Sequence, residues 1–400
     1  MIQMYKKINV LLEYLLVILL IVEFNTPYIQ FHIVSASISV SVALLLVLLC
    51  SFNKKNKKGI VITLALIMGG LPLVFFVERG FLFPYIKIFL IIFPLSYLFL
   101  SNIQDPIKIQ NLLIKFSDII IVISIISLFF WTLGSVMGKL GPNLWVPNDW
   151  AGPRMIPSYY GVYFETQEAG SMGGTFVRNT GIFNEAPMYN MILCFGLSIE
   201  YFVREKKNKI RLFVYILTIL TTLSTTGLFY ILIVLSYKQI ELLWKKNRLV
   251  LMVGAILLLT AFVIISSFLM DSKVENGGEG SVTRRGEDIL MCINVGLANP
   301  VLGVGLFHDS NLEYGTSNSL FTLFAHGGFY VLSLYVISLL LKPVYVFRYR
   351  NDAKVLLDYF VLFTFTISLY NFLTIFLVAW GLAISKKMQR NERLTIENNF

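Results

Sequence analysis

Charge is scarce in this chain. Asp, Glu, Lys and Arg make up 14% of its 400 residues, against about 25% in a soluble domain. Hydrophobic residues make up 56%, and mean hydropathy is +0.74. A water-soluble fold is excluded, and an integral membrane protein is expected. Cysteine is also rare. Cys50, Cys194 and Cys292 are scattered, so neither a disulfide framework nor a zinc pattern can be drawn. No Asp-x-Asp pair stands in an expected outer loop to hold a divalent cation, and Glu287-Asp288 alone is too little. The chemistry is therefore expected to need no metal and no other cofactor. A small-x-small cleavage site is missing after the first apolar run, where Glu23-Phe24-Asn25-Thr26-Pro27 stands instead, so that run reads as an uncleaved span. No internal or inverted repeat stands out, as a transporter would favour.

The apolar segments are Ile8–Val22, Ile33–Phe52, Ile60–Val77, Tyr85–Leu100, Phe116–Val136, Met188–Val203, Leu212–Ser236, Leu249–Met270, Asn318–Leu341 and Val355–Ser385. A span needs about 20 residues. Basic clusters flank Leu212–Ser236 on both sides, so the segment should enter and return, turning at Ser224-Thr225-Thr226-Gly227. Val355–Ser385 is bounded in the same way and should break at Tyr370-Asn371. The expectation is one all-α polytopic membrane domain of about twelve transmembrane helices. Both termini would be cytoplasmic. Two long loops, 137–186 and 271–317, would face outward. The net charge of +10 invites nucleic acid until it is placed. Of 33 Lys and Arg residues, Arg79, Lys87, Lys139, Arg154, Arg178, Lys273, Arg284 and Arg285 fall outside or at the outer rim, and the other 25 fall in cytoplasmic segments. The charge is an insertion signal, and nucleic-acid binding is not expected.

Both long loops hand directly into spans. The first ends in Arg178-Asn179-Thr180-Gly181-Ile182-Phe183-Asn184-Glu185-Ala186-Pro187. An arginine so close to hydrocarbon needs a partner, and its planar fork suits pyrophosphate or carboxylate. The alternative is pairing with the loops' own acids or with lipid headgroups. The second loop carries Arg284-Arg285, then Ile289–Ala298, amphipathic enough to lie along the membrane surface. Asn299-Pro300-Val301-Leu302-Gly303-Val304-Gly305 follows, then His308, Ser317-Asn318-Ser319, and His326-Gly327-Gly328 inside the next helix. Candidate anion-holding cations are Arg178, Arg284 and Arg285, with Lys87 and Arg79 near the same surface. Candidate proton acceptors are Glu185, His308, Asp309 and His326. Glu185 is alternatively an acid favoured by a helix N-terminus. His326 lies about 12 Å deeper than Asn318 and is alternatively a packed interior histidine. Glu13 is an intramembrane acid, lining a cavity or paired with a neighbouring helix.

The Arg-x-x-Gly-x-Phe-x-Glu-x-Pro stretch resembles the bacterial O-antigen polymerase and O-antigen ligase superfamily. So does Arg…Asn-Pro-x-x-Gly-x-Gly…Asn-Ser-Leu…Gly-Gly at the end of the second loop. Ser224–Gly227 falls where that family has a Ser-x-Ser-Arg-like turn, and Val378-Ala379-Trp380-Gly381-Leu382 also fits. The likeness covers roughly the last 220 residues, and the first 130 match as generic spans. It implies a glycosyltransferase C-like helical membrane fold. It also implies undecaprenyl-pyrophosphate-linked glycans as donor and acceptor, with a flippase and a chain-length regulator as partners. Gly181, Ser317 and Asn318 would line the substrate site. Ser317-Asn318 stands where ligases carry His-Asn, and Thr226 stands where the turn commonly has arginine. These departures favour a polymerase of O-antigen, capsule or exopolysaccharide over a ligase. Outside enzymes, the rivals are a lipid-linked oligosaccharide flippase and a structural role in an assembly complex.

Overall fold

The computed structural model describes residues 2–51, 56–77, 81–103, 105–150, 152–171, 174–234, 279–306, 318–347 and 349–385. Its helices are α1 (Ile2–Val22), α2 (Pro27–Ser51), α3 (Lys57–Gly70), α4 (Leu82–Asn102), α5 (Pro106–Val136), α6 (Ala186–Val203), α7 (Lys209–Thr221), α8 (Thr225–Val234), α9 (Glu279–Ala298), α10 (Ser319–Val346), α11 (Asn351–Phe365) and α12 (Phe372–Ala383). Among the described residues six helical segments are long and apolar enough to cross a bilayer: Val34–Ser51, Lys57–Phe75, Leu82–Asn102, Pro106–Val136, Ala186–Val203 and Ser319–Val346. Leu11, Leu49, Val61, Met68 and Phe75 point outward with 64 to 89% of their surface uncovered. Such a surface suits lipid and would aggregate in water. The chain is a helical membrane protein. The expected span Leu249–Met270 lies outside the described residues.

Short polar residues set the helix starts. The Asp105 carboxylate accepts the Ile107 N–H at 3.1 Å, and Pro106 fills the first turn of α5, where its missing N–H costs nothing. Asn208 does the same for α7 through Ile210, at 2.9 Å. Close packing comes from small residues. Gly196 of α6 faces Tyr215 of α7, and Gly381 of α12 lies against the Ser338 carbonyl of α10.

The helices from α5 to α8 alternate in direction, so this part of the bundle has two unlike ends. At one end α5 begins and α6 finishes, and the charges there pair among themselves. Arg204 binds Asp118 at 2.5 Å and Glu200 at 2.9 Å, and Arg211 binds the same two acids at 2.8 and 3.0 Å. Glu13 pairs with Lys115 and accepts from Asn9, so this acid serves helix packing. The other end carries the polar segment between α5 and α6.

That segment departs from an all-helical fold. Residues expected as loop form β1 (Leu144–Asn148), β2 (Arg154–Tyr159) and β3 (Tyr163–Phe164) in one antiparallel sheet, with β4 (Glu168–Ser171) and β5 (Gly174–Val177) as a hairpin. The Trp131 indole donates to the Val177 carbonyl at 2.9 Å, and Ser135 bonds Tyr163 and Glu165 at 2.8 and 2.7 Å. The result is a cap seated on the bundle.

The α7–α8 pair does turn back as expected, starting two residues earlier in sequence. The reversal is at Thr222-Leu223-Ser224, with Leu223 at φ +51°, and Thr225 already begins α8. α7 climbs from Arg211, beside Glu200, to Thr221, beside Asn179. α8 descends from Gly227, against Asn190, to Tyr230, whose hydroxyl reaches Asp358 at 2.8 Å. α11 and α12 also fold back, since Arg350 at the start of one donates to the Ser385 carbonyl past the end of the other at 3.2 Å.

The expectation that Ile289–Ala298 lies along the membrane surface is overturned. α9 packs lengthwise on α10 and runs in the same direction. Cys292 meets Thr322, Gly296 faces Phe324, and Pro300 reaches Phe329. α10 is broken at Gly328 (φ +55°, ψ −160°), and the turn after α9 occupies the break. The N–H groups of Val304 and Gly305 donate to the carbonyls of Ala325 and His326 at 2.9 and 3.0 Å. The N–H groups of Phe329 and Tyr330 donate to the carbonyls of Pro300 and Val301 at 2.7 and 3.2 Å. A broken helix at membrane depth must have its freed backbone groups satisfied by protein. Here the Asn-Pro-x-x-Gly-x-Gly stretch does that.

Candidate functional site

The cap end gathers residues that are far apart in sequence. Asn148 of β1 donates to the Asn184 side chain at 3.0 Å, and Asn184 donates to Asn25, between α1 and α2, at 3.0 Å. The Asn184 N–H also reaches the Asn25 carbonyl at 3.0 Å. These asparagines fix the cap, the start of α6 and the α1–α2 turn to one another.

Arg178 follows β5. Its N–H pairs with the Gln167 carbonyl at 3.0 Å. Its Nε donates to the Thr222 carbonyl at 2.8 Å and one terminal nitrogen to the Leu223 carbonyl at 3.4 Å. Those carbonyls end α7, where a cation is favoured. Its hydrogen-bond partners are therefore neutral. Burial lowers its pKa, and the charge of Glu185 works against that.

Glu185 precedes α6 but does not cap it. The Ala186 N–H goes to the Gln167 side-chain oxygen at 2.9 Å, and the Glu185 carboxylate makes no capping bond. Burial raises its pKa to about 7, opposed by a hydrogen bond from the Trp150 side chain and by the Arg178 charge. No ion pair joins Arg178 and Glu185 among the described residues. The two charges reach each other, and the carboxyl titrates near neutral pH. Such a carboxyl can take or give a proton at working pH. No family model, curated protein or solved structure matches the chain.

The other sequence candidates fall in different surroundings. Gly181 is a tight turn (φ +57°) whose N–H donates to the Asn179 side chain at 3.1 Å, and a Cβ there would press on Tyr189. Its place beside Arg178 is architectural. Asn318 caps α10 through Leu320 at 2.9 Å, and its amide nitrogen donates to the Thr364 carbonyl. His326 is fully buried at the α10 break, with Nδ1 3.3 Å from the Tyr370 hydroxyl, as its interior reading anticipates. Arg284 and Arg285 stand in the first two turns of α9 rather than in a loop. Ser317, His308 and Asp309 lie outside the described residues, as does Arg79. Lys87 stands on α4, with its ammonium 5.2 Å from the centre of the Phe372 ring.

Sequence reasoning missed Glu23 as a site residue. It sits beside Asn25 on the α1–α2 turn, and burial raises its pKa to about 7, against the pull of Lys87. An acid directly after an apolar run is the sequence signal that points to it.

One test follows for Glu185. As a proton acceptor it must be ionised, so activity should rise as pH passes upward through about 7. Glu185→Gln is expected to flatten that limb and to lower the rate by roughly 10²- to 10⁴-fold. A pH–rate profile checks it, and an unchanged limb in the Gln variant rules Glu185 out as the base.

Proposed function

We propose that the chain is a polysaccharide polymerase, joining undecaprenyl-pyrophosphate-linked oligosaccharide units at the outer face of a bacterial plasma membrane. The observation that carries this reading is Arg178, half-buried between cap and bundle, held by neutral carbonyls and set beside a carboxyl that titrates near neutrality. In the reaction an acceptor hydroxyl attacks the donor's anomeric carbon. The bond from that carbon to the pyrophosphate oxygen breaks, and the lipid pyrophosphate leaves with the electron pair. Arg178 meets the charge that grows on the leaving phosphates. Glu185 takes the proton of the attacking hydroxyl. Arg284 or Arg285 supplies a second guanidinium to the same pyrophosphate. Helix rise supports this. Cys292 is level with Thr322, which puts Arg285 about 10 Å further out than Thr322 along parallel helices, beyond the start of α10.

The membrane arrangement belongs to the same proposal: twelve crossings, both termini cytoplasmic and the cap outside. The segregation of Arg204, Lys206, Lys207, Lys209 and Arg211 to the end away from the cap supports it. Reporter fusions after Phe52, Ser236 and Ser385 are expected to read cytoplasmic. An external reading at Ser236 would overturn the sidedness of the α7–α8 hairpin.

The transporter reading has one attraction, the broken α10, because broken helices hold ions and substrates in transporters. Here the turn after α9 occupies the break, and the backbone groups on both sides are bonded to it. A deletion strain separates the two readings. Loss of a polymerase leaves exported single-unit glycan on the cell surface. Accumulation of lipid-linked units on the inner face instead would favour the flippase.

A further inference from the structure

Lys87 is a second cation at the cap end, and the Arg178 site does not account for it. It belongs to the π-helical stretch Ile86–Ile92. Such stretches are uncommon and recur at functional sites. Its ammonium lies 5.9 Å from the centre of the Phe83 ring and 5.2 Å from that of Phe372. Ring faces attract a cation but accept none of its hydrogen bonds in the way an oxygen does. The carboxyl whose charge reaches it is that of Glu23. No ion pair joins them among the described residues.

Glu23 is held in place from outside its own turn. Two residues on, Asn25 makes its two bonds to Asn184, and Asn184 is the neighbour of Glu185. The cap end therefore holds two arrangements of one kind, Arg178 with Glu185 and Lys87 with Glu23, tied together through one asparagine pair. Each consists of a half-buried cation and a half-buried acid that interact without closing on each other. A single-substrate enzyme needs one. A polymerase must hold two lipid pyrophosphates at once, on the same side of the membrane and with their sugars within reach.

We propose that Lys87 and Glu23 form the acceptor subsite, with the Lys87 ammonium on the acceptor's pyrophosphate and the Glu23 carboxylate accepting from a hydroxyl of the attached sugar. The proposal rests on the polymerase reading. Lysine serves here as a point charge on a flexible stem, suited to a substrate that must shift after each addition, whereas the Arg178 fork suits the phosphate that receives charge.

The experiment is calorimetric titration of the full chain in detergent with farnesyl pyrophosphate, a short prenyl pyrophosphate. Wild type is expected to bind two equivalents. Lys87→Met and Arg178→Gln should each bind one, and Lys87→Arg should regain the second. If wild type binds one equivalent that Arg178→Gln loses and Lys87→Met keeps, the acceptor subsite is wrong and the polymerase reading survives. If wild type binds none, both fall. If inorganic pyrophosphate fills the Lys87-dependent site as tightly as the prenyl probe, the site takes a free anion and the acceptor assignment is overturned. Where Lys87→Met fails to accumulate, Glu23→Gln reads the same subsite with the charge of Lys87 intact. Polymer length should then fall at least tenfold in cells expressing Glu23→Gln, with donor-equivalent binding unchanged. Full-length polymer from that variant contradicts the proposal.

Discussion

Replacing Arg178 with alanine should cut polymer synthesis by about a hundredfold or more, the usual loss when one preorganised donor to a developing oxyanion is removed. Arg178→Lys should recover little, because lysine keeps the charge and loses the fork. Part of any loss could come from the hairpin, since Arg178 also holds the carbonyls of Thr222 and Leu223. Arg154 supplies the comparison. It too donates to a carbonyl, that of Thr166 at 2.6 Å, from within the cap. Arg154→Ala therefore measures what such a tie is worth without an anion, and it should leave most activity. Glycan length in cells with matched membrane abundance is the measurement. Normal polymer from Arg178→Ala, and from the double R284A/R285A variant, would remove the pyrophosphate clamp altogether.

The largest effect on folding is expected at the broken helix. A Cβ on Gly303 would overlap the His326 carbonyl, and one on Gly328 would overlap that of Val301. Both residues also have positive φ, +67° and +55°, which costs an alanine about 1–2 kcal/mol before any overlap. Backbone cannot swing aside as a side chain can. Gly303→Ala and Gly328→Ala should each cost on the order of 3 kcal/mol or more and sharply reduce monodisperse protein recovered in detergent. Gly286→Ala is the control. A Cβ there meets nothing within 4 Å, and alanine in a helix should be neutral or stabilising by about 0.5–1 kcal/mol. If Gly328→Ala melts with wild type, the docking of the turn into α10 is wrong.

Much of the helical layout was legible in the sequence, because span length and flanking basic residues are local. Arg204 to Arg211, followed by the cluster from Lys238, called for a reversal between them, and α7 and α8 reverse within a few residues of the expected place. The cap was not legible. Its strands are short, and Pro147 and Pro157 interrupt what alternation they have, so the segment read as loop. The deep seat of the α9 turn was invisible for a different reason. What holds Pro300 to Gly305 is backbone bonding to Ala325, His326, Phe329 and Tyr330, and backbone groups leave no mark on residue type beyond the glycines that permit the approach. Those glycines mark a tight turn in the sequence and leave its depth open. At the site, Arg178 and Glu185 were found because they share one short stretch. Glu23 joins them through Asn25 and Asn184, a contact across 159 positions that no local pattern carries.

α9 has a mechanical consequence. It is a rod of 20 residues, about 30 Å long, with its inner end tied into α10 by four backbone bonds. Arg284 sits fifteen residues from Asn299, on a lever arm of about 22 Å. A rod fixed in this way cannot slide or stretch, so its first turns can move only by tilting away from α10, which opens the contact of Cys292 with Thr322. A tilt of about 10° would carry the backbone at Arg284 roughly 4 Å on that arm. The place of that first turn is then set by one angle at a joint of glycines, and the packing of α9 along α10 holds it.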